Sequence, residues 1–178
     1  MGHKHTKTDI LDGALATAFD VGLSRLTYGQ VAKRLGISDR IVVYYFASKD
    51  DLVGEVLVAL GMQLRQTLAP AFTTTVADHR ALLATAWPIL AHPDADPVFA
   101  LFFEANGLAA AGREPFVSLV PQLIEMWIAW SAEFVTGTAK RRRAEAEAAI
   151  AVLDGLLLLR QLSGPAAANR AARLLGAR

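Results

Sequence analysis

The chain has no cysteine, which excludes disulfides and thiolate chemistry together. Histidine is also scarce. Of the four present, His3 and His5 lie in the N-terminal lead-in, and only His79 and His92 lie beyond it. The His3-x-His5 pair has no third ligand nearby, so no metal site is expected. No paired acid/base constellation and no metal-ligand spacing is present, so a helical enzyme using an aromatic pocket is a weak alternative and no cofactor is expected. No apolar run reaches the length of a membrane span; the leucine tract Leu156–Leu159 is closed by Arg160. The N-terminus lacks the apolar core of a signal peptide, so a cytoplasmic protein is expected. Internal repeats and low-complexity tracts are absent too.

What is present is apolar and helix-forming. Hydrophobic residues make up 53% of the 178 residues, alanine and leucine are prominent, and strand-formers are sparse. That composition points to an all-α protein with apolar surface to spare for a partner or ligand. Charge is unevenly spread. Residues 1–52 carry seven Lys/Arg against six Asp/Glu, residues 53–139 three against eight, and residues 140–178 eight against three. The N-terminal part is only mildly basic, so charge alone does not argue for nucleic-acid binding.

The stretch Leu26–Leu52 is the most informative. Thr27 can cap a helix with Gln30 at the capping-box position, and Leu26 can staple onto Val31. That helix stops at Gly36, where a left-handed residue is wanted. Only Ile37 separates Gly36 from Ser38, the next cap, and Ile37 can staple onto Val42. Two short helices joined by a glycine turn form a helix-turn-helix, here at about residues 27–46, with the second helix as the reading head. Val42 and Phe46 are the expected core residues of that helix, while Ile41 and Tyr45 fall toward the same side. Asp39, Arg40, Val43 and Tyr44 fall toward the other. Arg40 can address guanine with two donors, Asp39 can accept from cytosine, and Val43 can touch a thymine methyl. All three tyrosines of the chain, Tyr28, Tyr44 and Tyr45, lie in this stretch, where their hydroxyls can donate to phosphates. Ser48, with Asp51 behind it, caps a longer helix.

Around this motif the pattern is helical throughout. Thr8 is the expected cap of a first helix that ends at Gly22. Gly13 inside it costs about 1 kcal/mol against alanine and so implies a packing reason. The helix over 48–68 links to the second part of the chain, and Pro70 with Thr73–Thr75 marks the boundary. The division expected is therefore residues 1–68 for the helix-turn-helix domain and 69–178 for a larger helical domain. Further helices are expected over Val76–Ala91, Pro97–Ala111, Phe116–Val135, Glu145–Leu162 and from Pro165 to about Leu175. Gly137–Arg143 reads as a polar joint, with Arg141–Arg143 as a solvated face.

Gly36-Ile37-Ser38, Tyr44-Tyr45-Phe46, Ser48-Lys49 and Asp51-Leu52, placed after Leu26-Thr27 and Val31-Ala32, resemble the tetracycline-repressor (TetR) family over about residues 8–60. The resemblance implies a homodimeric repressor whose N-terminal domains sit in successive major grooves of a near-palindromic DNA operator. A small molecule bound by the C-terminal part would release the DNA. It implies backbone contacts for Thr27, Tyr44 and Lys49, with Thr8, Tyr28, Ser38 and Tyr45 as further candidates in the DNA interface. Val43 stands where the family usually has tyrosine, and Arg40 where a small residue is common. An effector-independent DNA-binding dimer is the competing reading.

In the C-terminal part, Trp87, Phe99, Phe102, Phe103, Trp127 and Trp130 are candidate pocket residues for a small, largely apolar effector. Glu104 and Asn106 join them as polar groups that need partners if buried. The helix carrying Ile150, Leu153, Leu156, Leu157, Leu159 and Leu162 is apolar on more than one side. The resemblance assigns it to a dimer interface containing Leu153, Leu156 and Leu157, with Asp154 and Arg160 at the polar margin.

Overall fold

The computed structural model describes residues 5–177; His3 and Lys4 of the lead-in lie outside them. Among the described residues there are nine α-helices: α1 (Lys7–Val21), α2 (Tyr28–Leu35), α3 (Asp39–Tyr45), α4 (Lys49–Leu68), α5 (His79–Leu90), α6 (Asp96–Ala110), α7 (Phe116–Ala132), α8 (Ala139–Ser163) and α9 (Pro165–Leu174). The all-α class expected from composition is what the chain adopts. None of the described helices is long and apolar enough to cross a membrane.

The backbone packs as two compact units, one of residues up to Met62 with Leu101–Val120, the other of Gln63–Ala100 with the chain from Pro121 onward. α4, α6 and α7 each contribute residues to both.

In the first unit, α1 begins at a cap different from the one expected. Thr6, not Thr8, starts the helix: its hydroxyl accepts from the Asp9 N–H at 3.2 Å while its own N–H donates to the Asp9 carboxylate at 2.7 Å. The reason is local. A capping box needs a polar side chain three residues on, which Thr6 finds in Asp9 and Thr8 would lack in Leu11. Thr8 sits exposed in the first turn instead. Gly13 has the packing role its helical position implied, since a Cβ there would lie 2.8 Å from side-chain carbons of Leu35, so α1 and α2 approach closely only with glycine at this position. Ile10, Ala14, Ala18, Leu23, Leu26, Val31, Val42, Phe46, Leu52 and Val56 are fully or almost fully buried and make the core of the unit.

In the second unit α5 packs on α8 and α8 on α9. Phe72, Trp130 and Phe134 meet ring to ring at 4.9–5.5 Å. Val76 lies outside the helix expected there. It pairs in parallel with Val135, with the Val76 N–H donating to the Phe134 carbonyl at 2.7 Å and the Thr136 N–H to the Val76 carbonyl at 2.9 Å. Asp78 then caps α5 by accepting from the Ala81 N–H. This short bridge is why α5 starts late and α7 ends early. The polar joint expected over 137–143 is mostly helix: Thr138 caps α8, leaving Gly137 at φ 116° as the turn. Nor are its arginines merely solvated. Arg141 donates to the Ala77 carbonyl at 3.2 Å, and Arg143 makes a two-pronged pair with Glu125 at 2.5 and 2.8 Å.

Arg160 is also placed differently from expectation. Its side chain is only 4% exposed, and its guanidinium grips the Asp96 carboxylate at 2.5 and 2.9 Å. It therefore belongs to the fold of the single chain and not to an interface margin. Leu156 and Leu157, expected at a subunit interface, are likewise buried within the chain. The apolar side chains that α8 leaves open are Leu158 and Leu162.

Removing the acid of the Arg160 pair strands a buried guanidinium. Asp96→Ala should cost about 2–3 kcal/mol in urea unfolding, less than for a fully enclosed pair because Asp96 is itself half exposed, and adding Arg160→Met should recover most of it. Equal stability of the two variants would show that the pair, and not the stranded charge, sets the loss.

Candidate nucleic-acid interface

The helix-turn-helix is built from three local devices. The Thr27 hydroxyl accepts from the Gln30 N–H at 3.3 Å and donates to the Gln30 side-chain oxygen at 3.0 Å; Gln30 thus reaches the hydroxyl and not the Thr27 backbone. α2 ends at Gly36 in the left-handed conformation (φ 66°, ψ 32°), and the Ile37 N–H reaches back to the Ala32 carbonyl at 3.0 Å, closing the turn in a Schellman arrangement. Ser38 then caps α3 by accepting from the Arg40 N–H at 3.3 Å.

α3 is seven residues long, about 10 Å at 1.5 Å per residue, and only Val42 within it and Phe46 at its end point into the core. Asp39, Arg40, Val43 and Tyr44 are exposed together, Tyr44 at 81%. Ile41, grouped from the sequence with the inward residues, is exposed as well. One turn on a short helix needs a single inward residue, and Val42 fills that place.

The three tyrosines separate by role. The Tyr28 hydroxyl donates to the Phe46 carbonyl at 3.0 Å, and burial, then Asp51 and Asp50, raise its pKa. The Tyr45 hydroxyl donates to the His5 carbonyl at 2.9 Å. Both protons are committed within the chain. Tyr44, packed edge-on to Tyr45 with centroids 5.0 Å apart, has a hydroxyl without a protein partner among the described residues.

Lys49 opens α4 and is exposed. Its ammonium donates to the Ser24 carbonyl at 3.0 Å, and it has no ion pair among the described residues. Asp51, two residues on, is occupied by the reciprocal cap with Ser48, each bond 3.0 Å. The turn that holds Lys49 is gripped in turn by α6. The Glu104 carboxylate accepts from the Leu23 N–H at 2.8 Å, the Ser24 N–H at 3.0 Å and the Ser24 hydroxyl at 2.6 Å. Burial pushes the Glu104 pKa up, but the bonds from Ser24 and Leu23, with Arg25 nearby, outweigh it and leave it lowered. Glu104 is therefore committed to this turn and unavailable to the effector pocket in which sequence reasoning put it. Ser24 itself carried no signal in the sequence, because both of its partners are distant in the chain.

Residues 10–56 match the model of the bacterial regulatory proteins of the tetR family, and the match spans this helix-turn-helix and its flanking helices. The chain carries a helix-turn-helix domain of the TetR family. This is a family of transcriptional regulators rather than of enzymes. A curated relative, the HTH-type transcriptional regulator BetI of Cronobacter sakazakii (strain ATCC BAA-894), is 33% identical over 63 residues, which are 35% of this chain and 31% of that protein. The aligned stretch thus spans about a third of the relative's length. Among solved structures, the multidrug binding protein EbrR complexed with proflavin is 25% identical with a TM-score of 0.68, covering 95% of this chain and 96% of its own. A transcriptional regulator from Saccharomonospora viridis in complex with choline is 18% identical with a TM-score of 0.71, covering 95% and 92%.

The remaining candidates are dispersed. Trp87, Phe99 and Trp130 are almost wholly buried in the second unit, where the half-buried Trp127 stands edge-on to Trp130 at 5.3 Å. The guanidinium of Arg65 lies 5.4 Å over the Trp130 ring, a cation–π contact. Phe102, Phe103, Glu104 and Asn106 belong to the first unit. The Asn106 side-chain oxygen is buried without a partner among the described residues. A cavity of about 260 Å³ bordered by His79, Arg80, Leu83, Val152 and Arg173 contains none of these eight residues. Asp154, read from sequence as an interface-margin residue, is largely enclosed on α8, where burial alone raises its pKa to about 6. No hydrogen bond or ion pair to it is present among the described residues.

Proposed function

We propose that this TetR-family chain is a homodimeric repressor that reads a near-palindromic DNA operator through α3. The observation that carries this reading is the face of α3, where Asp39, Arg40, Val43 and Tyr44 are exposed together on a helix anchored by Val42 and Phe46. A helix of this length fits the major groove, which is about 12 Å wide. Arg40 supplies two parallel donors for a guanine, Asp39 an acceptor for a cytosine amino group, and Val43 an apolar contact for a thymine methyl. Thr27, Tyr44 and Lys49 anchor the phosphate backbone and set the register.

The second copy docks on α8. Ala151, Gly155, Leu158 and Leu162 are exposed at helical spacing, and a Cβ added at Gly155 would meet nothing within 4 Å. Two small residues followed by two leucines allow close helix approach at one end and leucine packing at the other.

The effector is a small, largely apolar organic cation. Support comes from the enclosed, unpaired carboxylate of Asp154, since a positive charge beside it would relieve the cost of burying it ionised, and from the proflavin and choline complexes of similar structures.

Three measurements test these parts. Lys49→Ala should weaken binding to all duplexes alike and lower the salt slope by about one unit, while Arg40→Ala should flatten discrimination among single-base operator variants by about 1–3 kcal/mol; an unaltered slope and unaltered discrimination would remove both roles. Leu158→Glu with Leu162→Glu should sediment as a monomer, and an intact dimer would refute the α8 interface. Proflavin should quench tryptophan fluorescence more tightly above pH about 6 than below it, because the Asp154 carboxylate is ionised only above its raised pKa. Asp154→Asn should abolish that pH dependence, and a dependence that survives it would exclude Asp154.

A further inference from the structure

Ser24 is held on both sides of its backbone by residues far away in the chain. Its N–H and hydroxyl are bound by Glu104, 80 residues distant, at 3.0 and 2.6 Å, and the preceding Leu23 N–H is bound by the same carboxylate at 2.8 Å. Its carbonyl is bound by the Lys49 ammonium at 3.0 Å. The turn is shaped to admit the carboxylate. Gly22 takes φ 84°, and a Cβ on it would come within 2.9 Å of a Glu104 oxygen, so glycine is needed there for conformation and for clearance. Leu23 is fully buried beside it.

This spends three charge-assisted hydrogen bonds on a turn whose Ser24 is exposed and whose amides water could satisfy. The consequence lies downstream, at Lys49. A lysine has four rotatable side-chain bonds and three donors. One Lys49 donor is used on the Ser24 carbonyl, which restricts the side chain and leaves two donors facing solvent. Restricting a long side chain before it binds removes part of the ordering cost that binding would otherwise carry.

We propose that Glu104 is a positioning residue for DNA binding: through the Leu23–Ser24 turn it fixes the carbonyl that holds the Lys49 ammonium ready for a phosphate. The proposal rests on the reading of Lys49 as a phosphate contact, and it adds a residue on α6 that touches no DNA itself.

A double-mutant cycle on the full-length protein tests it. Wild type, Glu104→Gln, Lys49→Ala and the double variant are titrated with a fixed duplex of unrelated sequence at low salt, where phosphate contacts supply nearly all the affinity. Glu104→Gln keeps the size of the side chain but turns one acceptor into a donor facing backbone N–H groups. It also deletes a negative charge, which by itself would strengthen binding to a polyanion. The expected result is the opposite, a loss of about fivefold or more in the wild-type background and little further loss once Lys49 is alanine. Equal losses in both backgrounds would overturn the relay, as would unchanged or improved affinity in Glu104→Gln. Lys49→Ala alone reports on the phosphate contact: if its salt slope is unaltered, that reading has failed, whereas a lowered slope with an additive cycle condemns only the relay. Should Glu104→Gln not fold, Ser24→Ala removes only the hydroxyl bond and serves in the same cycle, with a smaller loss expected in the same direction and additivity again overturning the relay.

Discussion

The burial of Phe46 is the contact on which the DNA-reading end depends. A seven-residue helix such as α3 has little stability of its own, because the nucleation cost is spread over too few hydrogen bonds. Phe46 closes that helix at 1% exposure and gathers its neighbours. Its carbonyl receives the Tyr28 hydroxyl of α2, and its ring lies 5.4 Å beneath the Lys7 ammonium of α1. Lys7 in turn pairs with Glu55 of α4 at 2.5 Å. One aromatic residue thereby ties the four N-terminal helices together while leaving the outer face of α3 open. The Lys7–Glu55 pair is exposed and individually modest, and the Tyr28 bond is part-buried; the buried ring gives them a common anchor.

With so little excess positive charge at the N-terminal end, docking has to rely on placement. Tyr44 is exposed with a hydroxyl that has no partner among the described residues, while Tyr28 and Tyr45 commit theirs inside the chain. Lys49 is tethered to a turn, and the turn to α6. Phosphate contacts of this kind set register and orientation and leave sequence discrimination to a few base-facing side chains. In the proposed reading the head carries few charges, and one of them, Lys49, is held in place by the chain.

How much of this was legible in the sequence follows from the range of each interaction. The caps at Thr27, Ser38 and Ser48 and the glycine stop at 36 are decided within four residues, so they could be read directly, as could the core placement of Val42 and Phe46. Thr6 was missed because Thr8 stands nearer the first apolar position, Ile10, although the Thr6–Asp9 box is itself local. The Glu104 clamp and the Arg160–Asp96 pair join residues 80 and 64 apart, and nothing local announces them. α8 defeated periodicity for another reason. Its stretch from Ile150 to Leu162 is apolar on more than one side, so the pattern did not say which face the chain itself covers. Leu156 and Leu157 proved to be the covered face and Leu158 with Leu162 the open one.

The proposed function makes α3 one of a pair of reading heads, one from each subunit, in successive major grooves. Dimethyl sulfate protection on an operator selected from random duplexes tests that most directly, because it reports guanine N7 in the major groove. Two symmetric clusters of protected guanines about one helical turn apart are predicted. A single cluster, or protection confined to the minor groove, would contradict it.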